Sequence, residues 1–103
     1  MKFLFRARSP QPGTAELQYL RGLAPGLGLG EIRRRAAEGV SLFEIAVFEG
    51  DWPEGRQRLS DLLERLESLP LEVSEGDEAL TAGEARDRLL SLLEIENQVR
   101  DHP

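Results

Sequence analysis

The run Pro25-Gly26-Leu27-Gly28-Leu29-Gly30 constrains this chain more than any other feature, because it stands between two short amphipathic stretches and inside two strand-like segments at residues 3–8 and 42–48. Proline lacks the backbone donor that a helix interior needs, and glycine loses the most conformational freedom when fixed, so one helix cannot continue through it. The chain must turn here. The expected unit is strand, helix, tight turn, helix, strand, with the glycines read as a place where two helices approach closely.

The flanking patterns supply the elements. Phe3, Phe5 and Ala7 alternate with Leu4, Arg6 and Arg8, the period of two of a strand with one buried face. Ser9-Pro10-Gln11-Pro12-Gly13 ends it, and Thr14 reads as the N-cap of a helix over 15–22 that turns Leu17, Leu20 and Leu23 to one side. After the turn Leu29, Ile32 and Ala36 restart a 3.6-residue period that closes at Gly39, a left-handed cap. Residues 42–48 are apolar on both alternating sets except for Glu44, which predicts a strand buried on both faces.

Asp51-Trp52-Pro53-Glu54 reads as a helix start, with Asp51 as cap and Glu54 returning a capping-box bond. Leu59, Leu62, Leu63, Leu66 and Leu69 form its apolar stripe up to Pro70, with Glu54/Arg58 and Asp61/Arg65 as i,i+4 ion pairs. Residues 71–74 read as a third strand and Glu75-Gly76-Asp77-Glu78 as an acidic turn. Thr81 and Glu84 then make a second capping box that opens a helix over 82–99, carrying Ala85, Leu89, Leu92, Leu93 and Val99 on one side. The expected fold is therefore α+β: strand-helix-helix-strand-helix-strand with a small three-stranded sheet, one face covered by the first three helices, plus an added C-terminal helix.

At 103 residues the chain suits a single domain. Residues 1–80 form its α+β core, and residues 81–103 a helix that packs on that core or on a dimer mate, since an isolated helix of this length is marginal in water. Leu4, Ala46 and Phe48 offer the second sheet face as its dock.

The order of elements resembles the C-terminal domain of the bacterial ribosomal stalk protein, a fold shared with the Clp protease adaptor, over about residues 2–74. The most specific part is Leu20-Arg21-Gly22 followed by Gly26-Leu27-Gly28-Leu29, similar to that domain's Val-Arg and Gly-Leu-Gly-Leu-Lys-Glu-Ala-Lys segment with about one residue inserted. In the stalk domain the lysines after Gly-Leu-Gly-Leu help contact translation factors; here the first of those positions is Gly30 and only Arg33 falls on the second. The Clp adaptor's Asn-Asp-Asp motif has no counterpart after the first strand. The resemblance implies a fold and a protein-binding role, and not membership of either functional family.

Composition narrows function by exclusion. Without cysteine there is no disulfide framework, thiolate metal site or redox pair, and a reducing cytoplasm is the expected location. Arg6 and Arg8 interrupt the opening apolar residues far short of a signal peptide or a spanning helix. The net charge of −6 is unevenly spread: residues 1–50 carry seven Lys/Arg against five Asp/Glu, and residues 51–103 carry six against fourteen. Such an acidic half repels phosphate backbones and attracts basic partners.

No catalytic constellation assembles. His102, the single histidine, is next to the C-terminus, and Glu44 is the one carboxylate whose apolar strand suggests a raised pKa, although a structural, paired Glu explains it as well. Gly26, Gly28 and Gly30 lack the preceding strand of a dinucleotide fingerprint and the Gly-Lys-Ser/Thr of a P-loop.

Two sets of residues remain as partner-binding candidates. Trp52 stands beside Glu49 and Asp51, an aromatic with flanking acids that suits a basic protein, or else folds back over its own helix. Arg21, Arg33 and Arg34, with Arg35, make a basic surface or a solvated helix face. The reading is a small acidic protein-binding module without enzymatic activity or cofactor, acting as adaptor, regulator or inhibitor on a basic protein partner, one form being an immunity protein that masks a basic toxin surface. A homodimer through the C-terminal helix is a further expectation, and no membrane partner is expected. The alternative is a ribosome- or RNA-associated factor using the arginines against the overall charge.

Overall fold

The computed structural model describes the backbone of residues 1–101 and the side chains of residues 1–98. His102 and the side chain of Val99 lie outside the described residues. Four strands, β1 (Lys2–Ala7), β2 (Phe43–Ala46), β3 (Leu71–Glu75) and β4 (Glu78–Leu80), form one antiparallel sheet in the order β2-β1-β3-β4. The helices are α1 (Thr14–Leu23), α2 (Leu29–Glu38), α3 (Trp52–Glu64) and α4 (Ala82–Asp101), with a 3₁₀ turn at Leu66–Ser68 after α3. The class is α+β, and the sheet has one strand more than the sequence suggests.

That fourth strand comes from the acidic turn. Gly76 adopts φ +59 and Asp77 does not, the pattern of a two-residue hairpin loop with glycine at its first central position. Glu78–Leu80 therefore folds back on β3, pairing Val73 with Leu80, Ser74 with Ala79 and Glu75 with Glu78. A Gly-Asp dipeptide between a clear strand and only three further residues carries too little period-two signal to be read as a hairpin.

Alternation along the strands decides which face is buried. Phe3 and Phe5 are inaccessible, as are Leu71 and Val73 to within 1%, and they join Ile45 and Leu80 in one core with Leu17, Leu20, Ile32, Leu59 and Leu63 from the helices. Ala85 and Leu89 of α4 belong to the same core. All four helices thus share one face of the sheet. Leu4, Ala46 and Ser74 lie on the opposite face, where Ser74 is buried and Lys2 and Glu44 pair at 3.1 Å.

The expectation for residues 42–48 is corrected here. The strand covers only Phe43–Ala46 at a sheet edge, Glu44 is half exposed and paired with Lys2, and Phe48 has left the strand. Phe43 stacks on Phe5 at 4.9 Å, and the Arg58 guanidinium lies 4.5 Å above the Phe43 ring.

Caps follow the sequence unevenly. Thr81 and Glu84 make both bonds of the capping box: the Glu84 N–H donates to Thr81 Oγ1 at 3.1 Å and the Thr81 N–H to Glu84 Oε1 at 3.3 Å. Gly39 closes α2 at φ +69, its N–H donating to Ala36 O while the Val40 N–H donates to Arg35 O, the paired bonds of a Schellman end. By contrast, Asp51 caps α3 without a side-chain bond, and Thr14 lies inside α1 with Gly13 at the cap. Arg58 does not pair with Glu54; it donates to Leu23 O at 2.7 Å, which ties α3 to the end of α1, and Asp61 accepts from Gln57.

The Gly-Leu-Gly-Leu turn is also not a close contact. A Cβ added at Gly26, Gly28 or Gly30 meets nothing within 4 Å, and none of the three has positive φ. Leu20, Ile32 and Ala36 hold α1 and α2 to the core, and the glycines serve as chain-breakers, with Gly28 at the α2 cap.

Candidate functional site

The candidate site lies at the end of the sheet where β1 begins and β2 ends. The Val47 N–H donates to Met1 O at 2.9 Å, the last rung between those strands, and the backbone then reverses through Phe48 and Gly50, at φ +60 and +59. Phe48 is the only described non-glycine residue with positive φ. For a bulky side chain this region is sparsely populated and costs on the order of 1–3 kcal/mol. The strain holds a half-exposed aromatic ring at the sheet end, edge-on to Trp52 with centroids 5.3 Å apart.

Trp52 itself is not presented to a partner. It is 8% exposed, and its Nε1 donates to Glu96 Oε2 at 3.2 Å, while Arg56 Nη1 donates to Glu96 Oε1 at 2.6 Å. This carboxylate from α4 receives both donors from the first turns of α3, so Trp52 anchors the two helices together. Nothing in the sequence relates positions 52 and 96; the pairing depends on α4 returning antiparallel to α3. Glu49 and Asp51 remain exposed beside it.

The charges at this end do not balance locally. Lys2 is held by Glu44, Arg56 by Glu96, and Arg88 by Glu75 and Glu78. Those bonds raise the Arg88 pKa above its ordinary value, that to Glu75 contributing most. Among the described residues Glu49, Asp51, Asp77, Asp87 and Glu94 make no ion pair. Among the described side chains of this end, Lys2, Arg56 and Arg88 are paired internally and these five acids are not.

The arginine candidates behave differently. Arg34 bonds Glu31 through two donors and Glu38 at 2.8 Å, and Arg35 bonds Glu31 at 2.9 Å and Ser41 O at 3.0 Å. Hydrogen bonds from Arg34 and then Arg35 hold the Glu31 carboxyl down to about 2, and the same bond to Glu31 raises Arg34 above its ordinary value. Arg21 and Arg33 are exposed and, among the described residues, make no ion pair. Half of the expected basic surface is therefore already occupied by the acids of its own helix.

Elsewhere the largest clefts are open and shallow. One of about 490 Å³ is lined by Arg8, Glu16, Tyr19 and Pro70, and the Arg8 guanidinium there is spent on Leu66 O and Leu71 O. Among the described residues no three acidic, histidine or cysteine side chains converge as a metal-holding group, and no helix is long and apolar enough to cross a membrane. No protein-family model, curated protein or solved structure matches the chain significantly.

Proposed function

We propose that the protein is a non-enzymatic protein-binding module of the cytoplasm, acting as adaptor, regulator or inhibitor on a partner with a basic surface. An immunity protein that masks a basic toxin surface is a specific form of this role. The observation that carries the reading is the charge imbalance at the sheet end. Among the described side chains Lys2, Arg56 and Arg88 are all in ion pairs, whereas Glu49, Asp51, Asp77, Asp87 and Glu94 are not. Unpaired acids around exposed apolar residues give both steering and burial to a basic partner. The resemblance to the stalk domain over residues 2–74 supports the same reading, since that domain works by contacting other proteins.

The alternative, a ribosome- or RNA-associated factor, needs Arg21, Arg33, Arg34 and Arg35 to act together, and two of these are engaged by Glu31 and Glu38. Capture from native extract on the tagged chain, run with and without nuclease, tests the choice. A basic protein retained in stoichiometric amount is the expected result. Recovery only of RNA or ribosomes, lost on Arg33→Glu with Arg34→Glu, would overturn it.

A further inference from the structure

We infer that the partner docks on the sheet end formed by Met1, Phe48, Leu92 and Ile95, and that the docking element is a cationic amphipathic helix of that partner. The inference rests on the protein-binding reading and adds to it a place and a mode. Met1, Phe48 and Ile95 are 55%, 48% and 50% exposed, three of the largest apolar exposures among the described residues, and Leu92 is half-buried. Met1 and Leu92 meet at one cavity, and Phe48 and Ile95 are linked to them through shared neighbours. Met1 and Leu92 line the same surface cavity, of about 240 Å³, with Asp87, Arg88 and Ser91. Phe48 directly follows Val47, whose N–H is bonded to Met1 O, and touches Trp52, which is bonded to Glu96 next to Ile95.

The geometry selects a helix as occupant. Leu92 and Ile95 are three residues apart on α4 and form one ridge of it, with Met1 across a shared cavity from Leu92 and Phe48 just beyond the end of β2. An extended segment would need the unpaired ladder groups of the edge strand β2, and that strand stops at Ala46 before Phe48 turns the chain out of it. A groove with one helical wall, lying beyond the end of the edge strand, recognises a partner through side chains at helical spacing.

Charge selects its sign. Glu49, Asp51, Asp87 and Glu94 surround this apolar floor without ion pairs among the described residues, and Asp51 leaves its carboxylate unused as a cap. A second copy of this chain on the same patch would set these acids against themselves, because a two-fold interface is self-complementary. Lysines or arginines beside an apolar stripe satisfy both parts of the surface.

A synthetic Leu/Lys amphipathic helix of about five turns is the probe, titrated into the full chain with amide-shift mapping and Trp52 fluorescence as readouts. Phe48→Asn removes the ring while keeping a residue that tolerates the left-handed backbone, and Ile95→Gln removes the other apolar contact within a helix. The expected result is saturable binding with shifts centred on Lys2, Phe48, Leu92 and Ile95, and weakening of about tenfold or more in the double variant. Leu29→Gln, a substitution on α2 away from this end, should leave it unchanged. Ile95→Gln alone serves the same purpose if the double variant loses its fold. Absence of saturable binding, shifts centred elsewhere, or equal binding of a Leu/Gln helix would overturn the inference; so would a stable homodimer that the Phe48 and Ile95 substitutions dissociate. None of these bears on the capture experiment, whose failure alone removes the protein-binding reading.

Discussion

Trp52 and Glu96 stand 44 residues apart, and a 3.2 Å hydrogen bond from the indole Nε1 to the carboxylate joins the first residue of α3 to the fourth turn of α4. Arg56 adds a second donor to the same carboxylate. The C-terminal helix is thereby fixed at both ends of its contact, by Ala85 and Leu89 in the core and by this bond beyond the sheet. Its more distal half becomes one wall of the candidate docking end.

Glu96→Ala should leave the buried indole donor and the Arg56 guanidinium unpaired, at a cost of about 1–3 kcal/mol. For a domain of this size that lowers the melting temperature by roughly 4–8 °C per kcal/mol. Trp52 fluorescence should shift to longer wavelength in the folded variant as water reaches the ring. A melting temperature and an emission maximum both unchanged would show that the bond does not hold α4.

Arg88 resolves a conflict that the β3–β4 register creates. Glu75 and Glu78 are direct cross-strand partners, and like charges in that position repel. Arg88 from α4 bonds both. Arg88→Gln should cost on the order of 1 kcal/mol at neutral pH, with the short strand β4 losing amide-exchange protection first. Adding Glu78→Gln should restore most of the loss. Equal protection of Glu78–Leu80 with and without Arg88 would contradict this role.

Much of this architecture is legible in the sequence, and the parts that are not have physical reasons. Alternation in Phe3–Ala7 and the Thr81/Glu84 box each record a local rule and appear where it places them, whereas the leucine stripe read up to Pro70 is carried by α3 only to Glu64, with Leu66 in a 3₁₀ turn and Leu69 after it. Strand β4 is three residues long, below the length at which alternation carries information, and is imposed by its neighbour β3. Residues 42–48 mislead because apolar content on both sets suggests a central strand, whereas Glu49-Gly50-Asp51 forces the chain to turn at Phe48. At the candidate site Glu49 and Asp51 are exposed as the sequence suggests. The burial of Trp52 depends on Glu96 and Arg56, partners that only the tertiary fold brings near.

Glycine substitutions separate the two roles glycine has in the helical hairpin. Gly39→Ala should destabilise by about 1 kcal/mol, because the residue is at φ +69 although no atom crowds its Cβ position. Gly30→Ala should stabilise by about 0.5–1 kcal/mol, since the position is in the first turn of α2 with free space and an ordinary helical backbone. Urea unfolding of the two variants checks both signs. A destabilised Gly30→Ala would mean that α1 and α2 do approach at the glycine turn.

Helix α2 should lose stability in acid. The Glu31 carboxyl is held down to about 2, below its ordinary 4.5, by hydrogen bonds from Arg34 and then Arg35. Because its folded pKa lies below the unfolded one, its contribution is fully present above about 4.5 and is lost as pH falls through about 2. A carboxyl-carbon NMR titration should give Glu31 a midpoint well under the ordinary 4.5, and Arg34→Ala should bring it back towards that range. A Glu31 midpoint near 4.5 in the parent chain would contradict the Arg34–Glu31–Arg35 geometry.

The central claim, that unpaired acids on this chain recruit a basic protein, is tested most directly by the association rate constant of the captured partner as a function of salt. Between ~50 and ~200 mM salt the rate constant should fall about tenfold or more while dissociation changes little, because screening acts on the encounter and less on the closed contact. Replacing Glu49, Asp51 and Glu94 by their amides should lower the rate at low salt and flatten that dependence. A rate constant insensitive both to salt and to these three replacements would contradict the account.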